Sequence, residues 1–329
     1  MNKAGVIGCR PIGVYHAQGI VGSQQAQLVA ACDFDQQTLD DFIQQWPDET
    51  TTGYKNHREM LAHEKLDIVT VATSDHRHAD LVVDAAEAGV KGIFCEKPLA
   101  TTLADADRMI AACAANDTLL SVDHTRRWWP LWRRSKELIA EGAIGPVQYI
   151  IGTLTGPRAM LFRNGTHLLD TVCYFADAQP AWVVADLEPG YEDYTEYRGD
   201  GGHDPATEPA ANAYIHFENG VNGFYIGGSK NTTLFTPQAE IVGATGRIVL
   251  ASEKQGTLYQ GETSSAIEVP ELTVHGIAAG MQELVKVVAE GGELVSPGRA
   301  GHTVVELLLG ILQSQQQGNT PVKFPMPRD

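Results

Sequence analysis

Three groups of residues in this sequence have types and spacings that can do chemistry. The first lies in AGVIGCRPIGVYHAQG, an apolar run entering a glycine turn in which Gly8 and Gly13 flank Arg10 and Ile12. A turn of this kind lets backbone N–H groups and a helix N-terminus face a pyrophosphate, and VAACDFD follows it, placing Asp33 twenty residues beyond Gly13. A carboxylate there accepts hydrogen bonds from an adenosine ribose and repels a 2′-phosphate, so the pattern favours NAD over NADP. The second group is Glu96-Lys97-Pro98, directly after the apolar run GIFC, and the third is RNGTHLLD, with Arg163, Asn164, His167 and Asp170. Taking a hydride from a carbinol carbon requires loss of the hydroxyl proton to a base whose pKa lies near the working pH. An imidazole such as that of His167 has an unperturbed pKa of about 6.5. Lys97 needs partial burial to serve as a base, or stays charged and polarises the hydroxyl oxygen. Glu96 is better suited to orienting its loop than to taking the proton.

These groups need a frame. The first third of the chain alternates short apolar runs (AGVIGC, AQLVAACD, LDIVTVAT, GIFCEKP, LLSVDH) with amphipathic stretches (QQTLDDFIQQW, HADLVVDAAEAGV, LADADRMIAACAAN). Strands buried on both faces and separated by helices predict an α/β fold with a doubly wound parallel sheet, a Rossmann domain over residues 1–122. Ligands of such sheets bind at the carboxyl ends of the strands, where Lys97 lies. From His124 the pattern changes to a helix, LWRRSKELIAEG, a strand, VQYIIGTLTG, the helix around His167, and then strands punctuated by ENGV and ATGR turns. A second α/β domain over 123–329 is expected, with an open, mostly antiparallel sheet and two closing helices, IAAGMQELVKVVAEG and AGHTVVELLLGILQSQQQG.

Composition narrows the partners. The net charge of −17 repels phosphate backbones and anionic membranes, so no nucleic-acid or membrane partner is expected. The five cysteines form no C-x-x-C pair and sit in apolar segments, as buried thiols in a reducing compartment do. The first strand starts too near Met1 for a signal peptide, and no apolar run spans a membrane; a cytoplasmic location is expected. His76, His78 and Asp75 cluster locally without a distant ligand pair, so no metal is expected. His302 and Glu306 share a helix face and read as a packed or solvated pair.

The combination of GVIGCRPIGVYHA, VAACD, VATSDHRHADLVVDAAEAGVKGIFCEKPLA, VDHTRRWWPLWRRSKELIAEGAIG, RNGTHLLDTVCYFA and GATGRIVL resembles the Gfo/Idh/MocA family of oxidoreductases along nearly the whole chain. The resemblance implies a nicotinamide cofactor between the two domains and a sugar, polyol or related substrate. It also implies that Glu96, Lys97 and Pro98 are the E-K-P motif, that Thr73 and His78 lie along the cofactor, and that His167 faces the substrate with Asp170 completing G-x-H-x-x-D. By the same analogy the chain is a homodimer or homotetramer.

Two positions depart from that family. Relatives often carry an aspartate four residues before the helix histidine, where this chain has Arg163 followed by Asn164. Arg163, with Arg126 or Arg158, either binds an anionic substrate group such as a carboxylate or is tied to a protein acid such as Asp170. Arg10 replaces the middle glycine of the turn, and either lies over the diphosphate or obstructs it. In RRWWPLWRR, Arg126 and Arg127 are expected at the mouth of the cleft, with Trp128 or Trp129 either stacking on a sugar ring or packed internally. The acidic stretch 188–209 reads as a solvated excursion or as a lid or subunit contact. An NAD-dependent hydride transfer is the leading function. The alternatives are an enzyme that keeps NAD bound and uses transient oxidation for elimination or glycoside cleavage, and a non-catalytic ligand-sensing homologue.

Overall fold

Where both faces of a strand must be covered, nearly every residue is apolar, and the first strands follow that rule. The computed structural model describes residues 1–199, 202, 204–228, 230–231 and 238–328. Along it run β1 (Asn2–Ile7), α1 (Pro11–Val21), β2 (Ala26–Cys32), α2 (Gln36–Gln44), β3 (Thr52–Tyr54), α3 (His57–Glu64), β4 (Ile68–Val71), α4 (His78–Glu87), β5 (Gly92–Cys95), α5 (Leu103–Ala115) and β6 (Leu119–Val122). Their strands pair in parallel in the order β3-β2-β1-β4-β5-β6, the doubly wound arrangement expected. β4 and β5 are buried throughout. Local chemistry sets the helix starts: Asp35, Asn56 and Thr102 cap α2, α3 and α5 by accepting from backbone N–H groups in the first turn.

After β6 come α6 (Pro130–Ala140), β7 (Val147–Leu154), α7 (Thr166–Ala176), β8 (Pro180–Leu187), β9 (Ala211–Phe217), β10 (Asn222–Gly227), β11 (Gln238–Gly243), β12 (Gly246–Leu250), β13 (Gly256–Gln260), β14 (Thr263–Ala266), α8 (Gly276–Glu290), α9 (Gly298–Gln316) and β15 (Val322–Lys323). Among the described residues these strands form a nine-stranded sheet, β14-β13-β12-β11-β7-β10-β9-β8-β15, antiparallel except where β10 runs parallel to β7. Its inner face packs a core of Ile150, Leu168, Val172, Ile215, Tyr225 and Leu308. The other face carries Tyr149, Trp182, Tyr214 and Phe224 at alternating positions, in edge-on or tilted ring contact with one another.

The chain forms two compact units, Met1–Trp128 with Thr273–His302, and Trp129–Leu272 with Thr303–Asp329. The single division expected after Val122 therefore differs from the course of the backbone. α8 belongs to the first unit because its apolar face of Met281, Leu284 and Val285 is buried there and close approach is built in. A Cβ at Gly19 of α1 would lie 2.5 Å from Met281 Cβ, and one at Gly92 of β5 would lie 2.6 Å from Val288. β3 and α3 escape the sequence reading for a plain reason. β3 is three residues long and mostly exposed, and α3 buries only Met60 and Leu61, so neither shows a usable period.

Candidate active site

The dinucleotide side is built on the first unit. Gly8 has φ +95, and a Cβ there would lie 2.2 Å from the Ala72 carbonyl oxygen, so the turn after β1 requires glycine. A Cβ at Gly13 would lie 1.9 Å from the Gly8 carbonyl oxygen, which is how α1 comes to start so close to the turn. Arg10 is the N-cap of α1 at φ −74, ψ 176, an extended conformation that any residue adopts, and its side chain is exposed. Losing the middle glycine thus costs no backbone strain. Asp33, at the tip of β2, is buried, with Oδ2 accepting from Cys9 N–H (3.0 Å) and Oδ1 from Asp35 N–H (3.0 Å). Those two bonds aim the carboxylate over the glycine turn. The Arg10 charge reaches the neighbouring Asp35, whose carboxyl is held below its usual range by the Thr38 backbone and side-chain hydrogen bonds first, with Lys55 and Arg10 adding.

Beside it, Thr73 lies in the loop after β4. His78 is fully buried, its Nδ1 3.0 Å from the Pro98 carbonyl and its Nε2 3.3 Å from the Thr73 carbonyl. Its two ring nitrogens face carbonyls on either side, linking the β4 loop to the Glu96-Lys97-Pro98 turn. Lys97 is half-buried at the end of β5, and its N–H donates to Glu96 Oε2 (3.3 Å). Glu96 Oε1 lies 3.3 Å from His16 Nε2 of α1. Asp123, at the end of β6, accepts from Thr125 Oγ1 (3.0 Å) and hydrogen-bonds Glu96. Burial alone would raise the Glu96 carboxyl, but hydrogen bonds from His16 and Asp123, then the His16 and Lys97 charges, hold it below its usual range. Asp123 goes the other way: burial, then the Glu96 charge and hydrogen bond, push it well up.

The rim expected at Arg126 and Arg127 is corrected, while for Trp128 the packed reading holds. Arg126 and Arg127 are buried, with Arg127 Nη1 donating to the Val295 carbonyl (2.8 Å). Trp128 is 4% exposed, packs on Phe94 and the face of α8, and donates Nε1–H to Glu283 Oε2 (3.0 Å). It is a core residue of the first unit and has no face left for a sugar ring. Trp129 packs edge-on against Trp132 in the second unit. His302 and Glu306 do not pair. His302 Nε2 lies 2.7 Å from Asp107 Oδ1, and Glu306 accepts from Met326 N–H and Arg328.

The residues expected to face a substrate lie in the second unit. Met160–Thr166 enters α7 through a π-helical turn, Leu161–Gly165, which puts Arg163 and His167, both half-buried, one turn apart. The turn is pinned by a residue the sequence reading missed. Glu208, 1% exposed, accepts from Phe162 N–H (2.7 Å) and Arg163 N–H (2.9 Å) through Oε2. Leu161 N–H donates to the Pro209 carbonyl (2.9 Å), and the Tyr197 ring packs on Phe162 at 4.7 Å. Lys230 bonds the Glu208 carbonyl and pairs with Glu188. The acidic stretch is packed onto the turn that presents Arg163 at Tyr197, Glu208 and Pro209, while Glu192, Asp193, Glu196 and Asp204 are exposed to solvent. Asp200 of that stretch lies outside the described residues. Asn164 is buried, and its Oδ1 accepts from Arg158 Nε (3.2 Å) and Nη2 (2.8 Å), so it orients Arg158 rather than offering its oxygen to a substrate. Burial, then the like charge of Arg163, lowers the Arg158 pKa.

A model of the oxidoreductase family with an NAD-binding Rossmann fold matches residues 2–124, and one of the GFO/IDH/MocA C-terminal domain matches residues 132–249. Myo-inositol 2-dehydrogenase of Thermotoga maritima is 27% identical over 278 residues, which are 80% of this chain and 80% of that protein. D-apiose dehydrogenase of Paraburkholderia graminis is 38% identical over 143 residues, 44% of this chain and 37% of that protein. A crystal structure of an Agrobacterium radiobacter oxidoreductase in complex with NAD+, L-tartaric acid and magnesium has the same fold, with a TM-score of 0.82 at 20% identity over 98% of each chain. With family models matching both halves, and with the glycine turn and the two sheets built as described, the chain belongs to the Gfo/Idh/MocA family of oxidoreductases.

Proposed function

We propose that this protein is an NAD-dependent dehydrogenase or reductase whose substrate is a sugar-like or polyol alcohol or ketone bearing an anionic group. The observation that carries the NAD reading is the Asp33 carboxylate, held by Cys9 and Asp35 N–H groups at the tip of β2 beside a turn that leaves no room for a Cβ at Gly8 or Gly13. Such a cradle fits a pyrophosphate, and a fixed carboxylate there selects a free ribose over a phosphorylated one. When bound, nicotinamide supplies or accepts the hydride.

The chain's own groups manage the proton. In the oxidation direction the hydroxyl proton passes to His167 or to the Lys97 amine as the C–H bond breaks; in reduction it returns to the forming alkoxide. The anionic group is assigned to Arg163 and Arg158. Their like charges are near enough to act on one another, and a carboxylate accepting from both relieves that repulsion. The apolar sheet face with Trp182, Tyr214 and Phe224 supports a homo-oligomer in which a second copy covers it.

The test is a titration with NAD and NADP separately, followed by turnover on neutral sugars and their carboxylated counterparts. NAD binding, stoichiometric NADH release and a preference for the carboxylated substrates that Arg163→Ala abolishes are expected. Tight binding of NADP alone overturns the reading of Asp33. Indifference to the carboxylate in both proteins overturns the anion assignment, and an eliminated or glycoside-cleaved product without NADH release moves the function to the retained-NAD alternative.

A further inference from the structure

We propose that Asp123 is a positioning residue for Lys97: together with Glu96 it holds one shared proton, so that the pair presents a single negative charge behind the lysine. This rests on the reading of Lys97 as a proton-handling group. The observation behind it is a cluster at the carboxyl ends of two adjacent strands. His16 from α1, Glu96 from the end of β5 and Asp123 from the end of β6 are all buried, and their polar atoms lie within 4.8 Å of one another.

Two ionised carboxylates cannot share so dry a space, and a proton between them resolves the conflict. The surrounding groups decide where it resides. Glu96 receives a hydrogen bond from His16 and lies beside Lys97, so its charge is compensated. Asp123 receives the Thr125 hydroxyl and faces the Glu96 charge, and burial favours its neutral form. The proton therefore sits on Asp123 and is donated to Glu96. His16 faces Glu96 through Nε2, and its buried Nδ1 has no hydrogen-bond partner among the described residues.

Other ionisable groups reach the cluster from the packed elements. Asp75, in the turn after β4, and the Cys113 thiol of α5 act on the Cys95 thiol of β5, as Glu96 and Asp123 do. That thiol is fully buried and pushed up by burial first, so it stays neutral. His124 and Arg126 follow Asp123 in the chain. The Lys97 charge acts on both carboxylates.

A single compensating charge keeps Lys97 protonated less strongly than two would, and removal of that one charge lowers its pKa further. Replacement of Asp123 by asparagine keeps an N–H donor toward Glu96 and the same net charge. The acid limb of the kcat/KM profile for alcohol oxidation is therefore expected to stay in place in Asp123→Asn and to move down by about one pH unit in the double variant Glu96→Gln/Asp123→Asn, which leaves neither carboxylate to carry the charge. An equal downward shift in Asp123→Asn overturns the proposal, since it means that both carboxylates were charged.

An infrared measurement on the cofactor-free protein supplies the second arm. A protonated-carboxyl C=O band at pH 7 that moves on 13C-aspartate labelling and vanishes in Asp123→Asn is expected. Absence of such a band in the wild type overturns the proposal even if the variants fail to fold, as does a stoichiometric divalent metal retained through dialysis. An acid limb that survives Lys97→Arg unchanged sinks the reading of Lys97 instead, while the infrared band still decides Asp123.

Discussion

At the scale of single residues, the groups proposed to serve cofactor and proton are readable because such chemistry leaves a linear trace: glycines before a helix, an acid at the next strand end, a lysine after β5. Lys97, Asp33 and His167 all stand where strand ends or helix starts put them. Glu208 leaves no such trace, since its partners are backbone N–H groups of Phe162 and Arg163, more than forty residues away in sequence. Replacing it with alanine strands two N–H groups in a buried turn and is expected to cost about 2–3 kcal/mol in urea unfolding. Glu208→Gln keeps an acceptor oxygen and loses less. In turnover assays Glu208→Gln raises KM more than it lowers kcat, because it loosens the turn that presents Arg163 without touching a proton-transfer group. His167→Ala is expected to lower kcat by about 10²–10⁴ with the Kd for NAD changed less than about twofold, by steady-state kinetics and calorimetry. Equal kcat in this variant and the wild type would leave the proton to Lys97 alone. Trp128 shows the opposite limit of sequence reading. Its type left a sugar platform and internal packing both open, and only the return of α8 shows its indole N–H donating to Glu283.

At the scale of elements, the β-α alternation was legible in strands such as β4 and β5 because burial on both faces makes them uniformly apolar. β13 and β14 were not, since both are short, β13 is mostly half-buried and β14 is exposed along its whole length. The glycine turn is an element-level device, because α1 can begin where it does only if Gly13 lacks a side chain. Gly13→Ala is expected to displace α1 from the turn, lower stability by about 1–3 kcal/mol and weaken NAD binding at least tenfold, read by calorimetry. Arg10→Gly, by contrast, leaves the fold unchanged, since Arg10 already adopts an ordinary extended conformation. Between α3 and α4, burial would raise the Asp84 carboxyl, but hydrogen bonds from Arg58 and His57, then their charges, hold it below its usual range. A depressed carboxyl adds stability above its unfolded pKa, and that contribution disappears as the pH falls through the lower folded value. Asp84→Asn is therefore expected to lower Tm at pH 7 and to narrow the gap to the wild type below about pH 4. A gap that is constant across that range would assign the effect to packing.

At the scale of the whole molecule, the two fold classes were readable from the change of pattern near His124, whereas the path of the chain between them was not. Nothing in the amphipathic run of α8 says which core it joins; Gly19, Gly92 and Gly280, which make room for it, announce themselves only as glycines. The open face of the nine-stranded sheet belongs to this scale as well. Phe224 and Ile226 are 37% and 40% exposed on adjacent outward positions of β10, with Tyr214 and Trp182 beside them on the same face. Phe224→Asp is expected to shift the protein to a smaller species in sedimentation or size-exclusion measurements, with the circular-dichroism spectrum unchanged. A wild type that already runs as a monomer would remove this face from consideration as the contact. The return of α8 also constrains the order of events during synthesis. The six parallel strands are all translated by Val122, yet Trp128, Gly19 and the β5 face stay uncovered until residues 273–302 have left the ribosome. The nucleotide half of this enzyme therefore cannot mature ahead of the rest: it waits, with an apolar surface open to chaperones, until nine-tenths of the chain has been made.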